Sequence, residues 1–196
     1  MTQFVESTTT GARTSKYYVD ARGRTVGHKL PTAPHVMYKF DNQGHRIATG
    51  LYKGSATSWV DPASTATDRL ALNESAFDEL SREWKSTRWE VNSSGVKDES
   101  LDTQRWFDPD GHLVRVDGEQ LVKYSYDRLG KRTHTFVLAK ADDGSSYAVA
   151  IVIGSNDVVL EELQTTYDSD SNAAIMSAVI ARKHTDGASD VTSVLD

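Results

Sequence analysis

The chain has 196 residues, a net charge of -6 at neutral pH and no cysteine. This length favours one domain with one core, and the lack of cysteine excludes disulfides, thiolate nucleophiles and cysteine-bound metal centres. The hydrophobic share of 38% fits a folded protein, and no run approaches the ~20 apolar residues of a membrane span. We expect no membrane segment and no signal peptide, and a location in the cytoplasm or in an assembled particle.

Charge is divided unevenly along the sequence. Residues 1–60 contain eight Lys or Arg and three acids, whereas the rest of the chain contains 14 and 25. The basic segment could be a solvated arm, a surface that docks on the acidic part of another copy, or a phosphate-binding patch. Because overall acidity disfavours nucleic acid, we expect self-association or a protein partner. The candidate assembly residues are basic side chains near the start: Arg13, Lys16, Arg22 and Arg24.

The first third of the chain predicts a tail followed by strands. Residues 1–16 lack hydrophobic periodicity, which predicts a flexible N-terminal arm. The runs KYYV, HVMYKF and RIATGLYK are separated by Gly and Pro, which predicts a basic, strand-rich segment over 17–60. The main domain is then expected over 61–196.

A helix is predicted near residues 62–86. Asp78 follows Ser75 at the spacing of a capping box, and Leu80 and Trp84 fall on one helical stripe. One or two such helices would pack on the sheet that follows.

The hydrophobic period changes to two after this segment. The runs TRWEV, TQRWF, HLVRV, EQLVKYSY, KRTHTFVLA and SYAVAIVI are separated by turn residues, which predicts an antiparallel meander or a barrel-like sheet. If Asp117 and Gly118 form a two-residue loop, Val114 faces Leu121. The run YAVAIVI is apolar on both faces and is expected at the centre of the sheet.

The C-terminal part is ambiguous. Acids before residue 172 and basic residues near 183 favour a helix over 172–183, because each end then complements the helix dipole. Residues 158–167 fit a helix or a strand equally well. The fold class is therefore predicted as mainly β, of α+β type.

A short turn pattern occurs four times, as VDARGR, FDNQGH, FDPDGH and YDRLGK. Its Asp positions are 20, 41, 108 and 127, so the spacing is about one hairpin within each pair. Asp accepts hydrogen bonds from the following backbone, and Gly three residues later can take positive φ, so the pattern is typical of hairpin turns. It resembles the YD repeats of Rhs-type proteins. That resemblance implies a β-rich shell in which the repeats have a structural role and any activity lies in another segment.

A second resemblance begins at AFDELSREWKSTRWEV, residues 76–91. A short helix leading into a strand with an early Trp, followed by antiparallel strands, is similar to the opening of a lipocalin-type barrel. The resemblance implies an internal pocket for one small apolar ligand. Its lining would include the aromatic residues Trp89, Trp106, Tyr124 and Phe136, which could equally fill a solid core.

Known catalytic and metal-binding patterns are absent from the sequence. It has no G-x-S-x-G, no H-E-x-x-H and no P-loop, and the six His show no ligand spacing. Asp168, Asp170 and Asn172 begin a calcium-loop pattern that lacks its acidic last ligand. Asp108 and Asp110 would need further ligands to hold a cation. We therefore predict no catalytic residue, no metal and no cofactor.

The leading functional hypothesis is a non-enzymatic binding or assembly module, such as a structural subunit of a phage, virion or secretion-type assembly. One alternative is a lipocalin-like small-molecule-binding barrel, with cofactor-free isomerase or cyclase activity. Another alternative is an immunity or accessory protein that binds one protein partner.

Overall fold

The computed structural model describes residues 2–7, 14–32, 34–54, 58–139, 158–168, 173–181 and 193–195. The chain divides into two compact units, Met1–Asp102 and Thr103–Asp196. Every regular element in the described part of the chain is a β-strand. None of these residues forms a helix long and apolar enough to cross a bilayer.

The described residues form fourteen strands, which follow one another in chain order. They are β1 Thr2–Ser7, β2 Thr14–Val19, β3 Thr25–Lys29, β4 His35–Phe40, β5 Arg46–Tyr52, β6 Arg69–Phe77, β7 Glu83–Val91, β8 Lys97–Phe107, β9 Leu113–Asp117, β10 Leu121–Tyr126, β11 Arg132–Leu138, β12 Val159–Tyr167, β13 Ala174–Ala181 and β14 Ser193–Leu195.

Each described strand is hydrogen-bonded to the next one in sequence, in antiparallel pairs. The mainly-β fold and the antiparallel meander predicted from the period-two runs are confirmed. Within each unit, no pairing among the described strands joins the first strand to the last. The sheet is therefore open rather than closed into a barrel.

The helix predicted near 62–86 is wrong. β6 and β7 occupy most of this range and form a hairpin, with a turn that begins at Asp78. Asp78 caps this turn rather than a helix, since its side chain accepts the N–H groups of Leu80 and Arg82. Leu80 lies on the turn, so its helical spacing from Trp84 was a coincidence of sequence.

The helix predicted over 172–183 is also wrong where the chain is described. β13 pairs antiparallel with β12, from Glu161 opposite Ala181 to Tyr167 opposite Ala174. The segment 158–167, which fitted a helix or a strand, forms β12 over most of its length. Cross-strand pairing here outweighs the charge pattern, because a helix-dipole effect contributes only ~0.3–1 kcal/mol.

The predicted segments can be set beside the described strands. The arm predicted over 1–16 contains β1 and the start of β2, which pair from Thr2 opposite Val19 to Ser7 opposite Thr14. The run YAVAIVI lies outside the described residues. The division into 17–60 and 61–196 stays a prediction beside the observed division at residue 102.

The core of the first unit lies on one face of its sheet. Tyr18, Val26, Met37 and Tyr52 are buried together, and a segment near Trp59 packs over them. Two glycines let this segment approach. A side chain at Gly27 would meet Met37, Tyr18 and Trp59, and one at Gly50 would meet Tyr52 and Pro62.

The buried side chain of Arg69 anchors this covering segment through hydrogen bonds. It is only 4% exposed. Its Nε donates to the carbonyl of Gly95 at 3.0 Å and its Nη1 to the carbonyl of Pro62 at 2.9 Å. A buried guanidinium is tolerated because these carbonyls replace water as acceptors.

Among the described residues, the interior of the second unit is more polar than that of the first. Leu121 pairs with Asp117, and Lys123 with Arg115, so Gly118–Gln120 form the connection and the predicted pairing of Val114 with Leu121 is wrong. This register places charged residues side by side in one row across the sheet. Arg115, Lys123 and Glu162 are all buried, and Phe136 lies between the last two.

Candidate functional site

One kind of hairpin turn occurs six times among the described residues. It begins at Asp or Asn, and the residue three positions later has a positive φ. The turns begin at Asp20, Asp41, Asp78, Asn92, Asp108 and Asp127, and the positive-φ residues are Gly23, Gly44, Ser81, Gly95, Gly111 and Gly130.

All six turns share one hydrogen-bond pattern. The first residue donates its backbone N–H to the carbonyl of the residue four positions later, at 2.9–3.0 Å, and accepts the N–H of the third residue after it, at 2.8–3.3 Å. Its side-chain Oδ1 accepts the N–H of the fourth residue at 2.7–3.0 Å. The side chain thus replaces water for a backbone donor that a tight turn leaves unpaired.

The Asp turns also share their strand register. In each of these turns, the residue before the Asp pairs with the residue five positions after the Asp, as Val19 does with Thr25 and Tyr126 with Arg132. A β-bulge lies next to this pair, on the side away from the turn. The same shift occurs beside Asp41, Asp78 and Asp108. The motif therefore specifies a whole hairpin end, including its bulge and local twist.

In the first unit, the turns after β2, β4 and β6 lie at the same end of the sheet, because successive strands alternate in direction. We call the Asp20, Asp41 and Asp78 turns the first rim. The Arg24 guanidinium lies 4.7 Å from the ring centre of Phe40 in the next turn. The ring of His45 stacks on Phe77 of the turn after that, at 4.5 Å and 15°.

The second unit repeats this arrangement in a second rim, formed by the Asp108 and Asp127 turns. The ring of His112 stacks on Tyr126 at 4.7 Å, and the Tyr126 hydroxyl donates to the carbonyl of Leu113 at 2.7 Å. Tyr167 is equivalent in both contacts. Lys131 Nζ lies 4.9 Å from its ring centre, and its hydroxyl donates to the carbonyl of Arg132 at 3.0 Å. Each turn thus holds the aromatic residue that precedes the next.

The rim carboxylates are strongly engaged. Partial desolvation would raise the pKa of Asp20, Asp41 and Asp108, but hydrogen bonds from the backbone and side chain of the residue four positions later outweigh it. The pKa of Asp78 is lowered first by the backbone N–H of Arg82, in spite of desolvation. These four carboxylates are therefore weak bases that stay ionised at neutral pH, which suits turn formation and not general acid–base catalysis.

Asp108, Asp110 and His112 bring ligand atoms within 4.8 Å of one another. Asp108 Oδ2 already contacts His112 Nδ1 at 2.9 Å, and the equivalent Asp41 turn makes the same contact to His45 at 2.8 Å with Gln43 in place of the second acid. The Asp–His contact is thus a property of the turn. Asp110 is the one addition at Asp108, and it is exposed.

A groove of about 780 Å³ lies on the first unit, between strands β5 and β8. Its apolar lining includes Leu51, Leu70 and Leu101, and its charged lining comprises Arg88, Glu90 and Glu99. Leu70 and Leu101 are 45% and 42% exposed, although large apolar side chains are usually buried. The groove is therefore an open surface of mixed polar and apolar character, with more acidic than basic charge.

The four aromatic residues predicted to line a ligand pocket fall in different places. Trp89 is in the first unit, lies along the groove and donates its Nε1–H to Glu74 at 2.6 Å. In the second unit, Trp106 lies against Arg115 and Phe136 stacks on His134. Tyr124 belongs to the opposite sheet face from Phe136, since Phe136 pairs with the neighbouring Lys123. Their role in ligand binding stays a prediction.

Of the predicted assembly residues, two belong to the first rim. Arg24 binds Asp20 through Nε at 2.7 Å, and Arg22 donates to the carbonyl of Asn42 at 2.6 Å. Lys16 lies on β2, and Arg13 is outside the described residues. The structure thus gives Arg22 and Arg24 local partners, while the assembly role of all four stays a prediction.

Two of the six turns were not recognised from the sequence as copies of the repeated pattern. The turn FDELSR, residues 77–82, has the aromatic, Asp and basic positions of the motif, but Ser81 replaces Gly with a φ of 65°. The turn VNSSGV, residues 91–96, has Asn92 in place of Asp. A search for Asp or Asn followed by Gly or Ser three positions later would have found both.

No protein-family model matches the chain, and no curated protein matches it. Solved structures with similar chains include Tc toxin assemblies. A chain of the Photorhabdus luminescens Tc holotoxin pore, with a TccC3 variant, is 15% identical over 86% of this chain and 9% of that one, with a TM-score of 0.42.

A chain of the TcdB2–TccC3 crystal structure is 11% identical and covers 93% of this chain and 11% of that one, with a TM-score of 0.37. A chain of the TcdB2–TccC3 form without the hypervariable C-terminal region is 13% identical and covers 89% of this chain and 10% of that one, with a TM-score of 0.38. The chain thus spans about a tenth of the length of the chains that it matches. The relationship is a weak resemblance in structure.

Proposed function

We propose that the chain is a non-enzymatic assembly module that binds further copies of itself, as a structural subunit of a phage, virion or secretion-type assembly does. The repeated turn carries the proposal. Each Asp that begins a rim turn accepts backbone N–H groups through Oδ1, and most of these Asp residues also contact a cation or His through Oδ2. These charged residues therefore serve to form hairpins. Such residues supply a scaffold and leave little capacity for acid–base chemistry.

Charge supports a second copy as the partner. Residues 1–60 carry an excess of basic side chains and the remainder an excess of acids. Opposite surfaces of two copies would therefore attract one another, and salt would weaken that attraction.

The proposal is tested by sedimentation velocity of the full chain over a range of concentrations, at low and at high salt. We expect the weight-average mass to rise with concentration and to fall when salt is added. Reversing Arg13 and Lys16 to Glu tests the basic arm, and is expected to weaken association without lowering the melting temperature. A chain that remains monomeric at high concentration and low salt would contradict the proposal.

A further inference from the structure

A convex partner that is apolar at its tip and basic beside the tip would complement the groove of the first unit. Leu70 and Leu101 are exposed within it, and Glu90 and Glu99 outnumber Arg88 in its charged lining. Exposed apolar side chains that line a groove can bind an apolar side chain of a partner. The acidic excess disfavours an acidic partner and favours a cationic one.

The second rim presents a tip with these properties. In the turn that begins at Asp127, Leu129 lies two positions after the Asp, and its side chain is 74% exposed. Arg128, which precedes it, is also exposed. A rigid hairpin end, held by the turn hydrogen bonds, presents this pair with little entropy left to lose on binding.

The first rim contains a turn that matches the Asp127 turn in shape and serves as its control. The equivalent turn at Asp78 places Leu80 at the same position, 69% exposed, with its N–H donated to the Asp78 side chain as that of Leu129 is to Asp127. Glu79 stands there in place of Arg128. The two tips share shape and apolar character and differ in charge, so only the Leu129 tip complements the acidic groove.

We propose that Leu129 and Arg128 of one copy insert into the groove lined by Leu70, Leu101 and Glu99 of another copy. This inference rests on the self-association proposed above and names the surfaces that make it. The two surfaces are different patches, so the contact is heterologous, and repetition produces a ring or an open chain of subunits.

The test compares matched tips in the full chain. L129D is expected to weaken self-association about tenfold or more, as loss of a central apolar anchor does, whereas L80D should leave it unchanged. Both side chains are mainly exposed, so circular dichroism and thermal melting should show folded protein in each case. Equal effects of the two substitutions, or no effect of L129D, would overturn the inference while self-association itself stands.

A charge exchange tests the partner residue. R128E and E99R should each weaken association, most strongly at low salt, because each places like charges together. An equimolar mixture of the two variants should recover mixed association, since the acidic tip of one then meets the basic groove of the other. If the mixture associates no better than either variant alone, Arg128 and Glu99 do not meet. A wild-type chain that is monomeric throughout would overturn the proposed function and this inference together.

Discussion

The two units use the same turns over different interiors. In the first unit, Tyr18, Met37 and Tyr52 form an apolar cluster under a covering segment. In the second, a cross-strand row contains buried Arg115 and Lys123, with Lys123 only 1% exposed. Yet the turn hydrogen bonds, the bulge position and the stacking of each turn on the next aromatic residue are the same in both rims.

The comparison teaches that the hairpin ends are specified locally and the interior is not. A turn of this kind needs only Asp or Asn, a residue able to adopt positive φ and a following donor, all within five positions. The interior depends on which residues other strands bring to the same row. The units can therefore differ in core while they share a rim, and substitutions should separate the two contributions.

The largest effect is expected for Arg69, the buried cation that the first unit uses to hold its cover. Arg69→Ala removes charge-assisted hydrogen bonds to Pro62 and Gly95, and should lower the free energy of unfolding by about 3 kcal/mol. Arg88→Ala, an exposed control, should change it by less than ~0.5 kcal/mol. Urea denaturation followed by Trp fluorescence measures both, and equal effects would show that the cover does not depend on Arg69.

The next effect tests whether a rim turn needs charge or only an acceptor. Asp127→Ala leaves the N–H groups of Leu129 and Lys131 without their side-chain acceptor, and should cost about 1–2 kcal/mol. Asp127→Asn keeps Oδ1, as Asn92 does in the first unit, and should retain most of the stability. An Asn variant as unstable as the Ala variant in thermal melts would show that charge dominates.

A pH effect should arise in the first unit from His35, which is buried beside β3. Burial lowers its pKa; the Gly54 backbone raises it, and the charges of Lys29 and His28 lower it further. The folded pKa is therefore below the unfolded value of about 6.5. Stability is then fully present above that value and is lost as the pH falls below it. Melting temperatures between pH 8 and 5 should show this slope, and H35N should reduce it. An unchanged slope in H35N would assign it to other groups.

The smallest effects on the free energy of unfolding are expected for the positive-φ residue, three positions after the Asp that begins each turn. Gly111→Ala should cost about 1 kcal/mol through positive φ alone, because a Cβ there meets no atom within 4 Å. Gly130→Ala should cost more, since the same Cβ would lie 2.7 Å from His112 Nε2. Ser81→Gly should stabilise by about 0.5 kcal/mol. Thermal melts that rank these three differently would contradict a common turn geometry.

Much of the architecture followed from local patterns. The period-two runs predicted most strands, and HVMYKF coincides with β4. The helix over 62–86 failed because Leu80 and Trp84 have helical spacing, whereas the decisive residue was Asp78, whose turn lacks the expected Gly. The pairing of Val114 with Leu121 failed because Gly118–Gln120 form a longer connection. One extra loop residue exchanges the faces of a strand, so such an error changes every contact.

The antiparallel meander and the chemistry of its turns follow from the sequence, because alternation and Asp-x-x-Gly spacing act within one strand or one turn. The side chains that are buried together follow from the tertiary structure, since that grouping depends on the register between strands. The tertiary structure placed Arg115 beside Lys123, stacked His45 on Phe77 and opened a groove beside Leu70 and Leu101. The first of these contacts depends on the length of one hairpin loop, and the other two join residues about thirty positions apart in sequence.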